Sequence, residues 1–219
     1  MSEDFFDSGL LTFCEETKRS FYEMSIFHKE TEDMWSKKDS ELQEHIAKRL
    51  EGVTPKEHGD VLSGYGEELH LNQLLFPNVH RSSLVISLHT YLEDSLDQLH
   101  ELVRYHSCKN VKYKSRVSTI ERYKSYIVEA GDFNTAIIDK SWFKIDQVNK
   151  LRNKLIHENG RLPKEGDDPL NVFVSGNEYL SGVPDSKVHI ASGFIGFYIE
   201  TLLELFENLD VEVAKFSSI

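Results

Sequence analysis

The chain of 219 residues is 39% apolar and 28% charged, with a formal net charge of -12, a balance that fits one sizeable folded core and excludes a disordered polymer. No apolar run approaches the roughly 18 residues of a membrane span, and the acidic start Met1-Ser2-Glu3-Asp4 is unlike a signal or transit peptide, so a cytoplasmic protein without a membrane partner is expected. Cys14 and Cys108 lack the paired spacing of a zinc site or a disulfide framework, and the net charge opposes general nucleic-acid affinity, which depends on cations neutralising phosphates.

In chain order, residues 10–37 predict a long amphipathic helix, because Leu10, Phe13, Phe21, Met24, Phe27, Met34 and Trp35 fall near one side at steps of three, four or seven. Leu42, Ile46 and Leu50 predict a shorter second helix ending before Gly52 and Pro55. Gly59, Gly64 and Gly66 read as a flexible connection. The boundary is therefore expected there, with an N-terminal helical addition over 1–65 and the main helical domain over 66–219.

After Pro77 the strongest helix is expected from about Ser82 to His106, with Leu84, Leu88, Tyr91 or Leu92, Leu96, Leu99 and Val103 as its apolar face. Lys109 to Glu129 is basic and aromatic, a texture that suits stacking on bases and pairing with phosphates but equally a helix with half-buried tyrosines. The next helix is expected from Asp139 or Ser141 to His157 or Glu158. Val172-Phe173-Val174 reads as a short strand, Gly176-Asn177 as a turn, and Tyr179-Leu180 and Lys187 to Ile190 as extended pieces of a small β-hairpin. A final helix over Ala191 to Leu209 repeats Ile195, Ile199, Leu202, Phe206 and Leu209 at bundle spacing. The fold class is mainly α, a helical bundle with a hairpin before its last helix.

Charge is unevenly distributed. Residues 104–154 carry 12 Lys+Arg against 5 Asp+Glu, between flanks that sum to -12 over 1–103 and -7 over 155–219. A positive segment of this kind attracts an RNA strand locally, or is a solvated helix face. It ends on Leu151-Arg152-Asn153-Lys154-Leu155-Ile156-His157-Glu158-Asn159-Gly160. Val148, Leu151 and Leu155 form one core stripe there, while Asn149, Asn153 and His157 follow at i+4 on a non-core side. Arg152 precedes His157 by about 7.5 Å of rise and about 140° of rotation, so the pair meets only if Arg152 bends back or a partner chain completes it.

Arg152-Asn153, three residues, His157 and then Gly160 resembles the signature of the HEPN superfamily, and the surrounding order of helices, hairpin and last helix over roughly 66–219 is similar to a common HEPN layout. The resemblance implies a metal-independent endoribonuclease that works without a cofactor as a homodimer pairing two motifs, in bacterial defence or a toxin-like stress response. Its catalytic residues would be Arg152, His157 and Asn153, with Lys150 and Lys154 binding substrate and no metal site. It also offers Glu93 as an acid holding the arginine, although Glu93 reads first as an exposed helix charge and not as catalytic. HEPN toxins paired with nucleotidyltransferase antitoxins have a Tyr two residues after the His, where this chain has Asn159, so adenylylation control is not expected.

The chemistry suits the residues. Imidazole ordinarily titrates near pH 6.5, about right for moving protons at neutral pH, and guanidinium offers a permanent fork of donors to phosphate oxygens. The other reading is structural: His157 compensates the helix dipole, Arg152 bridges to an acid on a nearby helix, and the chain is a catalytically silent module that binds a protein partner or nucleic acid. Phosphate-binding glycine loops and a zinc-protease histidine pattern are absent, and His89, His100, His106 and His189 read as surface or satisfied core residues.

Overall fold

The computed structural model describes residues 9–218. Helix α1 (Leu10–Glu51) is continuous over 42 residues, where the sequence suggested two helices. No Gly or Pro falls between Gly9 and Gly52, and Ser40 turns its hydroxyl back to Ser36 O at 2.9 Å instead of breaking the helix. The expected apolar stripe holds only at the start. Leu10, Cys14 and Phe21 are fully buried in the main core, whereas Phe27 and Met34 are exposed, because the buried line drifts to His28 and resumes at Leu42 and Ile46.

The glycine-rich stretch is helical. It forms α2 (His58–Gly64) and α3 (Gly66–His70), followed by a π turn over Leu71–Leu75 and then α4 (Phe76–His106). The helix therefore passes through Pro77 instead of starting after it. Proline offers no N–H and its ring crowds the preceding turn; the widened turn, in which Phe76 N bonds Leu71 O, lies directly before it.

Helix α5 (Thr119–Gly131) begins at Ser118, whose hydroxyl accepts from Glu121 N. Helix α6 (Thr135–Glu158) starts earlier than the apolar stripe indicated, because Asn134 caps it by accepting from Ala136 N. Val172-Phe173-Val174 is not a strand. It lies in α7 (Pro169–Gly176), where Asp168 accepts from Leu170 N, Pro169 opens the first turn, and Leu170, Asn171 and Val174 are buried. Local β preference is overridden by a good helix start and by an i, i+4 apolar pair.

The hairpin is present as β1 (Leu180–Ser181) and β2 (His189–Ile190), antiparallel with Leu180 opposite Ile190. Helix α8 (Gly193–Phe216) follows, and Ile195, Ile199, Leu202, Phe206 and Leu209 are all buried. It packs against α1, α6, α4 and α5, making one apolar cluster that runs from Leu10 to Val213. No described helix is long and apolar enough to cross a membrane.

Candidate functional site

The motif occupies the last turns of α6. Val148 and Leu151 are fully buried against the core, and Leu155 packs partly against it. The helix ends because Asn159 and Gly160 both turn left-handed, at φ 53° and 75°; Gly160 N bonds back to Lys154 O, and Gly160 O accepts from Val188 N beside the hairpin. The glycine thus anchors the end of the motif helix to the extended segment that follows.

Asn153 and His157 are exposed, as the helical wheel predicts, but Asn149 is not on that open side and is only 8% exposed. Arg152 does not bend back toward His157. It turns to α4, where Nη2 donates to Glu93 Oε2 at 2.6 Å, and Nη1 donates to Asn153 Oδ1 at 3.1 Å. Glu93 is therefore no free surface charge: both partners are about four-fifths covered, at 18% and 24% side-chain exposure.

Beneath this ion pair lies a polar core that periodicity did not reveal. His89 Nδ1 is 2.7 Å from the hydroxyl of Tyr198, and both side chains are fully buried. Burial, then the positive charge of Arg152, pushes His89 down to about 4, with Asn149 acting weakly the other way. Burial first, and Glu93 second, lifts the Tyr198 hydroxyl far above the usual phenol range. His89 and Tyr198 are thus a neutral pair at neutral pH, and Arg152 spans from it to the surface with Glu93 as counter-ion. A histidine set within the buried α4 run of Val85, Leu88 and Leu92 was the one sequence signal for this pair.

The His157 side chain forms no hydrogen bond or ion pair with the described residues. On the helical wheel it lies between Asn153 and the Lys150–Lys154 side. That side opens into a groove of about 620 Å³ shared with Arg161, Lys164 and the loop before α7. Lys150 and Lys154 line it as expected, yet each is paired along the helix, with Asp146 at 3.0 Å and Glu158 at 2.7 Å. Asn153 touches Arg152 and stands one turn from His157, so it links the two halves of the motif.

Much of the positive middle segment is neutralised. Lys124 pairs with Asp139, Lys140 with Glu204, and Lys109 with Asp132. Lys114, Arg116 and Arg122 form no ion pair among the described residues and line a second cleft of about 560 Å³ with Tyr113, Tyr123, His100 and the acids Asp97 and Glu101 of α4. Glu93, Asp97 and Glu101 follow one another at i+4 along α4, so this cleft and the arginine's partner share a side of that helix. No protein-family model, curated protein or solved structure matches this chain.

Proposed function

We propose that this chain is a metal-independent endoribonuclease of HEPN type, in which Arg152, Asn153 and His157 act on an RNA strand across a homodimer. The observation that carries the reading is the division of the motif: the His157 side chain stands exposed with no partner among the described residues, while Arg152 is held by Glu93 and Asn153. A proton-transfer group needs access to substrate, and a charge stabiliser needs a fixed position.

In the reaction the RNA 2′-oxygen attacks phosphorus as one His157 takes its proton, and the bond from phosphorus to the 5′-oxygen breaks as the partner's His157 donates one. The products are a 2′,3′-cyclic phosphate and a 5′-hydroxyl. Arg152 offers its remaining N–H groups to the charge that builds on the phosphoryl oxygens. Lys150 and Lys154 border the motif on the side of the α7 loop, and Lys114, Arg116 and Arg122 offer cations on the α4 side, where Arg152 points. A setting in defence or toxin-like stress follows from the resemblance alone.

A second reading is a catalytically silent module for a protein or nucleic-acid partner. The Arg152–Glu93 pair favours it, since an arginine already joined to an acid on a neighbouring helix is a structural fastening. One experiment separates the two. Mixed-sequence RNA is incubated with wild type and His157→Ala in EDTA, after both are shown to be equally folded and equally dimeric. Cutting that falls by about 10²–10⁴-fold in the variant, with cyclic phosphate ends, supports the nuclease. Cutting by neither protein favours the silent module, and equal cutting by both removes His157 from the mechanism.

A further inference from the structure

Away from the motif, two histidines 52 residues apart in sequence meet where α1, the start of α4, β2 and the start of α8 converge. His28 Nδ1 lies 3.3 Å from His80 Nε2, and Glu32 Oε1 is 4.0 Å from the same Nδ1. The three donor atoms fall within 4.8 Å of one another, with His28 buried and the other two half-buried. The cluster is therefore rooted in the fold and open on one side.

Two of the three donors have an outer partner. His28 Nε2 faces the Ser192 carbonyl at 3.2 Å and the Ser192 hydroxyl at 3.3 Å; a carbonyl only accepts, so the tautomer with the proton on Nε2 satisfies it and leaves the Nδ1 lone pair toward His80. Arg81 grips Glu32 with two bonds, Nε to Oε1 at 2.8 Å and Nη2 to Oε2 at 2.6 Å, and its third arm reaches Ile190 O at 3.1 Å. Carbonyl-backed imidazole and hydrogen-bonded carboxylate are the outer contacts that ligating side chains use. A tetrahedral ion with nitrogens at about 2.0–2.1 Å sets them about 3.3–3.4 Å apart, the separation found here.

We propose that His28 Nδ1, His80 Nε2 and Glu32 Oε1 bind a divalent ion of the zinc class, completed by water on the open side, which fastens α1 to α4. Without the ion, His80 Nε2–H donates to His28 Nδ1. On binding, that proton is exchanged through solvent to His80 Nδ1, so both rings stay neutral and each gives one lone pair. Glu32 moves inward while Arg81 keeps its hold on Oε2. Burial holds both histidines below their usual range, which keeps the rings neutral near pH 7. The Arg81 charge opposes any cation, so ions that gain most from imidazole nitrogen are selected over Mg²⁺ and Ca²⁺.

The other compact group, Asp97, His100 and Glu101, serves as a control. It has one imidazole, whose Nε2 is taken by the Tyr113 hydroxyl at 2.6 Å, and its acids come from one stretch of α4. The test uses the full chain without a histidine tag, stripped with EDTA and desalted, then titrated with Co²⁺ and read by visible absorption before displacement with Zn²⁺. Wild type and His100→Ala are expected to bind one ion with the intensity of a tetrahedral site. Zn²⁺ at a hundredfold excess over Kd should raise their Tm by roughly 5–10 °C. His80→Ala, with His80→Gln as its substitute if the first folds poorly, should lose both signals. A wild type without absorption, or a His80 variant that titrates like wild type, overturns the site. The readouts are optical and thermal, so they stand apart from whether the chain cuts RNA.

Discussion

Arg152 and Glu93, 59 residues apart in sequence, are joined at 2.6 Å across the gap between α6 and α4. The bond decides which way the motif arginine points, and it holds a guanidinium above a buried, neutral His89–Tyr198 pair. Removing the acid leaves that positive charge mostly covered and unpaired.

Glu93→Gln should therefore destabilise the chain by about 1–3 kcal/mol, the range for a largely but not fully buried pair broken from one side. Urea unfolding at pH 7 measures it. A loss below about 0.5 kcal/mol, typical of an ordinary surface change, would mean that the pair holds nothing in place.

Acid should weaken the fold through His89. The unfolded chain takes up this proton near pH 6.5, whereas the folded chain waits until about 4. Between those values protonation favours unfolding, so stability falls as pH drops from 6.5 to 4, by up to about 3 kcal/mol from this group, and levels off below. His28, His80 and His100 are lowered chiefly by burial and add to the same limb. Unfolding free energies measured across this range should fall less steeply for His89→Gln than for wild type; identical slopes would remove His89 as a contributor.

Gly160→Ala should cost about 1–2 kcal/mol, because the residue sits at φ 75°, a region that a Cβ disfavours. The added carbon would also meet Leu155 Cδ2 and Val188 Cγ1 at 3.3 Å each. Thermal melting reads the loss. A variant as stable as wild type would show that the end of α6 has another acceptable path.

Thiol reagents should modify one cysteine in the native chain. Cys108 is exposed and Cys14 is buried, with burial, and Asp210 after it, pushing the Cys14 thiol up to about 12. The second equivalent should react only in denaturant. Two fast equivalents under native conditions would show that the α1–α8 contact opens readily.

If an RNA strand follows the α4 cleft, replacing Lys114, Arg116 and Arg122 together by Gln should weaken binding and make the slope of log affinity against log salt shallower by about 2, the expectation for three contacts to a single strand. Filter binding at several salt concentrations checks it. An unchanged slope would place the strand elsewhere.

Local pattern was enough for the elements that bury a regular stripe. The α8 stripe from Ile195 to Leu209 and the α4 face from Leu84 to Val103 are buried as their spacing requires, and α6 ends at Glu158, where expected. Pattern misled where a single residue type was given too much weight. Pro77 marked a helix start that a π turn made unnecessary, glycines at 59, 64 and 66 suggested a loop where helices form, and the β-branched Val172 and Val174 outweighed the Asp168-Pro169 cap in front of them.

The sequence by itself determined the helical stripes, the concentration of positive charge in 104–154, and the spacing that leaves Asn153 and His157 on an open face, because each depends on neighbours within a few turns of one helix. Only the tertiary structure decided that Arg152 faces Glu93, that His89 is buried against Tyr198, and that His28 meets His80. Those pairings depend on how helices distant in sequence are set against one another by the shared core, and the periodicity of one helix carries no record of the polar group that another will bring to it.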